Sequence, residues 1–161
     1  TARVAPGAGA ALVSLAIAGR EWLHLPEPLR RFLQGERTGG VPLLFPWANR
    51  LRTDRFRVLG RSIDLSHVAG VHRDSAGLPM HGLLLRWGRW ELDRAANGDA
   101  FAARLHWSGR GTTRELYRAF PFDLELEVRY RLIDAPGLSL GVEVETVVDA
   151  DRKSTRLNSS H

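Results

Sequence analysis

The chain has 161 residues, 23 Lys+Arg against 18 Asp+Glu, six His and no Cys. At 43% hydrophobic and 25% charged its composition is that of a globular protein rather than a disordered or collagen-like one, and the length fits one domain or part of a larger one. The absence of Cys excludes disulfide scaffolds, Cys-ligated zinc, iron–sulfur clusters and Cys nucleophiles, and no apolar run approaches the roughly 18 residues of a membrane span.

The first residue is Thr1, with no Met and no basic-then-apolar leader, so no secretory signal is read and the true start is expected to be missing. The expected location is cytoplasmic. Ala11–Ile17, the pair Ala18-Gly19 and residues 21–25 read as a hairpin. Residues 26–32 read as a short helical turn with Pro28 early in it. Loops are expected at about 34–50 and 66–82. Between them, residues 56–59, the pair Gly60-Arg61 and residues 62–65 form a second hairpin. Residues 84–92 and Ala100–Trp107 read as strands separated by Asn97-Gly98, and 114–120 as one more.

The clearest pattern follows. Leu124, Leu126, Val128, Tyr130 and Leu132 alternate with Glu125, Glu127, Arg129 and Arg131. That is period two, one face to a core and one to water. Asp134-Ala135-Pro136-Gly137 signals a turn, and alternation resumes at Leu138, Leu140, Val142 and Val144. The two runs make an antiparallel hairpin. Glu125, Glu127, Glu143 and Glu145 are read as solvated sheet faces rather than a glycosidase pair, because alternation explains them. Short strands with frequent turns argue for a large β-sandwich. Its last strand would leave an open edge, so a further C-terminal portion is expected.

The final eleven residues, 151–161, break the pattern. They hold the one Lys of the chain, Lys153, and three of its nine Ser. This segment resembles a translated sequencing adapter, and it is expected to be an artefact following a native domain at 1–150. Without it the charge falls from +5 to +3, with 20 Arg against 17 acids. The Arg residues are scattered among acids with no run of five like charges. They read as a solvated exterior, not a nucleic-acid or membrane surface.

Two segments could carry chemistry. The first, GGVPLLFPWANRL at 39–51, combines glycines that free the backbone with prolines that fix φ. It ends in Asn49 and Arg50, whose donors and acceptor suit a ligand with several hydroxyls. Trp47 offers a ring face for stacking, or serves simply as core. The second segment, 74–82, places His81 before Gly82, where it can point into a cleft or be satisfied by backbone. His67 and His72 lack a third ligand nearby, so no metal site is read. His24 and His106 are read as side-chain choices on strands. There is no GxSxG, P-loop or dinucleotide fingerprint.

With four motifs in order, the chain resembles the aldose 1-epimerase (galactose mutarotase-like) family: GREWL at 19–23, GGVPLLFPWANRL at 39–51, GLPMHGLL at 77–84 and AFPFDLELEVRYRL at 119–132. The resemblance spans nearly all of 7–148 and implies an all-β fold, the N-terminal part of an antiparallel β-supersandwich. It implies interconversion of the α and β anomers of an aldohexose by acid/base ring opening and closure, with no cofactor and no metal. The family's Glu base and His acid come from its C-terminal half, so no catalytic residue is expected within these residues. Arg50 and His81 match the family's sugar-contacting Arg and His, and Asn49 is adjacent. The expected partner is a small sugar; the oligomeric state is not read. Two alternatives stand beside the mutarotase reading: a hexose-6-phosphate 1-epimerase, with extra Arg for the phosphate, and a non-catalytic carbohydrate-binding module.

Overall fold

The structure is a computed structural model, and it describes residues 1–25, 31–32, 38–94, 98–135 and 138–149. The 26–32 turn falls mostly outside these residues, although Arg31 and Phe32 at its end are helical. Part of the Asn97-Gly98 turn and all of the 151–161 tail also lie outside them.

The fold is all-β. The strands are β1 (Ala2–Ala5), β2 (Ala11–Ile17), β3 (Arg20–Glu21), β4 (Arg55–Val58), β5 (Arg61–Asp64), β6 (Glu91–Arg94), β7 (Ala100–Trp107), β8 (Leu124–Ala135) and β9 (Leu138–Asp149). They form sheets β1-β2-β3, β4-β5 and β6-β7-β8-β9, antiparallel throughout.

The largest sheet follows from the alternation of β8. Leu124, Leu126, Val128 and Tyr130 are buried and pair with Trp107, Leu105, Ala103 and Phe101 of β7. Each fully buried large apolar side chain stabilises the fold by about 1.5–3 kcal/mol. Leu12 of β2 packs on Val128 and Tyr130, and the Tyr130 hydroxyl donates to the Ala10 carbonyl at 2.7 Å. These contacts lay the three-stranded sheet against the four-stranded one. Burial pushes the Tyr130 phenol up to about 12.

Three local readings are corrected, and one strand was not read. The strand expected at 84–92 is irregular until Glu91: the Trp87 amide turns back to the Leu84 carbonyl, and the Trp87 carbonyl receives both the Gly9 amide and the Trp90 indole. Residues 114–119 form a helix, α1 (Arg114–Ala119), not a strand. Leu116 and Ala119, three apart, are its buried positions, which is helical spacing. The second hairpin turns at Leu59-Gly60, one residue earlier than expected, with φ 45° and 77°. Two positive φ values are what a type I′ turn between Val58 and Arg61 demands. Strand β1 gave too short a pattern to read, because its partner β2 defines it.

Glu127 is also corrected. It is not a solvated residue but only 6% exposed. In register it stands opposite Arg104, and Arg129 is two residues along. Arg104 Nη2 lies 2.9 Å from its Oε1 and Arg129 Nη2 2.8 Å from its Oε2.

Candidate functional site

Three short loop segments come together as a small antiparallel array with 78–81 in the middle. On one side the Leu51 amide donates to Pro79 and the His81 amide to the Asn49 carbonyl, at 2.8 and 2.9 Å. On the other, the Met80 amide donates to His72 and the Asp74 amide to Leu78, at 2.8 and 3.0 Å. Arg50 is thereby bridged to Met80, and Arg73 to Pro79. Residues 31 positions apart in sequence, Arg50 and His81, thus lie on directly paired segments.

The segments are fixed from below by close backbone approach. Gly82 has φ +71°, and a Cβ there would collide with the Phe45 carbonyl, so only glycine fits. The Leu83 amide donates to that same carbonyl at 2.7 Å. Phe45 in turn sets its ring edge-on to Trp107, 5.8 Å between centroids. The loop carrying Arg50 is therefore anchored to the sheet core. Trp47 is not held out as a stacking platform. It packs with Phe56, Ile63 and Leu65.

Asn49 and His81 are both left-handed, with φ of 57° and 65°. Asn adopts this region more readily than most residues. The Asn49 Oδ1 is engaged locally, accepting the Arg50 amide at 2.9 Å. His81 is half-buried, and its ring lies parallel to that of His72, 6.0 Å away. Burial first, and then the Arg50 charge, hold the His81 imidazole below its ordinary value. Burial, Arg86 and His81 do the same to His72. Both rings are thus biased toward the neutral form, in which one nitrogen donates and the other accepts. The buried His81 Nδ1 has no protein partner.

Arg50 donates from Nε to Asp74 Oδ2 at 2.5 Å. The other Asp74 oxygen accepts the Ala76 and Leu78 amides, both at 2.9 Å. These backbone bonds and Arg50 hold the Asp74 carboxyl below the usual carboxylate range. Sequence reading passed over Asp74 and set His72 aside. The signal for Asp74 was its place at the head of Asp-Ser-Ala-Gly, a turn that an Asp side chain closes. For His72 there was no signal, since its neighbour His81 arrives through the fold.

Beside this array is a cavity of about 200 Å³ whose lining includes His72, Arg86, Trp87 and Glu115. A wider groove of about 470 Å³ lies over the four-stranded sheet, away from Arg50 and His81. Among the described residues, no group of three or more His, Asp or Glu is arranged to hold a metal ion. None of their helices is long and apolar enough to cross a membrane.

A sequence model described as aldose 1-epimerase matches residues 3–160. No curated protein matches the sequence. Among solved structures, the chain is similar to the Slr1438 protein of Synechocystis sp. PCC 6803, at 24% identity and a TM-score of 0.65. The match covers 91% of this chain and 43% of that one, so the chain spans less than half the length of this structural neighbour.

Proposed function

The chain belongs to the aldose 1-epimerase family, and from that premise we propose that it carries the sugar-holding part of a mutarotase site, with Arg50, His81 and Asn49 as its sugar contacts. The observation that carries this reading is the direct pairing of the 49–51 and 79–81 segments, which gathers a guanidinium and a neutral imidazole beside one another. Arg50 supplies several donors to ring hydroxyls, and the neutral His81 ring supplies one more hydrogen-bonding group. A sugar so held would have its ring oxygen polarised toward opening.

Anomer exchange then needs a base to take the C1 hydroxyl proton and an acid to protonate the ring oxygen. The C1–C2 bond rotates in the open chain, and the ring recloses. Both groups are proposed to belong to sequence beyond these residues. In support, this chain spans 43% of its structural neighbour. A hexose 6-phosphate as substrate is the second reading. The observation favouring it is the cavity beside His81, where Arg86 brings a positive charge.

Polarimetry on freshly dissolved α-galactose or α-glucose tests the proposal. The 161-residue chain should bind sugar yet leave mutarotation at its spontaneous rate. Catalysed mutarotation would mean that the acid and base are present after all. Titration with glucose and glucose 6-phosphate in parallel separates the two substrate readings.

A further inference from the structure

We infer that Asp74 is a positioning residue of this site: it grips Arg50 by Nε and leaves the outer guanidinium nitrogens, Nη1 and Nη2, set for the sugar. The inference rests on the reading of Arg50 as a sugar contact.

The geometry is that of a clamp. The Asp74 side chain is 9% exposed, whereas that of Arg50 is 56% exposed. One Asp74 oxygen closes the turn onto Ala76 and Leu78, so the carboxylate cannot rotate freely. The other oxygen therefore holds Nε at a fixed place. The turn itself is tied down by the next residue. Arg73 donates to the Gly77 carbonyl at 2.7 Å, to Asp54 at 2.8 Å and to the Leu65 carbonyl at 2.9 Å. Among the described residues, none accepts a hydrogen bond from Arg50 Nη1 or Nη2. An Arg left free would lose rotamer freedom on binding; one held at Nε has already lost it. The carboxylate also offsets the guanidinium charge. A charge-compensated fork favours neutral hydroxyls over anions, which a bare guanidinium would attract.

The test uses the full chain and two substitutions. In Asp74→Asn the amide oxygen can still accept Ala76 and Leu78, while its NH2 faces Nε–H, donor against donor. The turn is kept and the clamp lost. The expected results are a roughly tenfold weaker affinity for galactose in NMR titration, a loss of order at the Arg50 Nε–H resonance, and unchanged protection of the Ala76 and Leu78 amides. Binding of inorganic phosphate should weaken less, or strengthen. A merely structural role for Asp74 would not move that ratio. Full galactose affinity in Asp74→Asn, or an Arg50 Nε–H as ordered as before, overturns the inference. Arg50→Ala separates it from its premise. If Arg50→Ala binds galactose normally, or the unsubstituted chain binds none, the sugar reading falls and the positioning role with it. If Arg50→Ala loses binding while Asp74→Asn keeps it, only the positioning role falls. Should Asp74→Asn not fold, Asp74→Ser, whose hydroxyl also closes such a turn, takes its place.

Discussion

Two carboxylates in this molecule are each gripped by arginine, to opposite ends. Glu127, on β8, lies between Arg104 and Arg129. Arg129 reaches on to Glu145 at 2.9 Å, and Arg104 lies 3.7 Å from Asp93. Every guanidinium there is committed to carboxylates across β6, β7, β8 and β9. The two acids raise the Arg129 pKa, and the two arginines lower that of Glu127. Asp74, in contrast, meets one arginine, and that arginine keeps its outer nitrogens unspent. A saturated net braces a sheet. An unsaturated one presents donors. The same residue types serve both ends, and the count of acids around each guanidinium separates them.

The largest expected effect breaks the saturated side. Glu127→Ala leaves Arg104 and Arg129 facing each other on neighbouring strands. Removing one partner of a buried pair typically costs 3–5 kcal/mol. Here the arginine side chains stay 40% and 48% exposed and regain water, so about 1–3 kcal/mol is expected. Urea unfolding measures it. Sugar affinity should not change, because the net lies away from the Arg50 array. A variant as stable as the parent, or one that loses sugar binding, would erase the contrast.

A smaller effect is expected from pH, through the two histidines of the open side. His72 and His81 have folded pKa values below the ordinary 6.5. The unfolded chain therefore binds more protons as pH drops through that value, and stability falls. Urea midpoints should decline from about pH 7.5 to about pH 5.5. Glu127 and Asp74 are held low and stay ionised in this window, so they do not contribute. The His72→Gln, His81→Gln double variant should flatten the decline. An equally steep decline in that variant would place its source elsewhere.

How far the sequence could carry this contrast depends on the range of the interaction. Strand β8 was legible because Leu124, Leu126, Val128 and Tyr130 repeat every second residue, and sheet burial has that period. The same logic misplaced Glu127. Alternation sends it to the polar face, as observed, but the cross-strand Arg104 and Arg129 of its own strand bury it there, and register is not a local property. Helix α1 was misread because six residues hold too few turns to display a period, and β1 was missed because β2 defines it. At the candidate site, Arg50 and His81 were named through a family resemblance, since a separation of 31 residues carries no geometry of its own. Asp74 was visible as a turn former. Its bond to Arg50 exists only because 78–81 lies between the two segments.

The smallest expected effect on stability belongs to Arg50, and its smallness sharpens the comparison. Arg50 makes one side-chain ion pair and is more than half exposed. Exposed pairs contribute little, because water and salt compete for both charges. In Arg50→Ala, Asp74 keeps its bonds to Ala76 and Leu78, and the Arg50 amide keeps its acceptor in Asn49. Asp74 Oδ2 loses Arg50, but removing that exposed side chain opens the oxygen to water, which takes its place. The melting temperature should therefore shift by about 2 °C or less, while galactose binding is lost. Glu127→Ala should give the reverse pattern, a lower melting temperature with binding intact. If Arg50→Ala instead melts as early as Glu127→Ala, the Arg50–Asp74 pair is a brace like the other, and the distinction between presenting and bracing arginines does not hold in this fold.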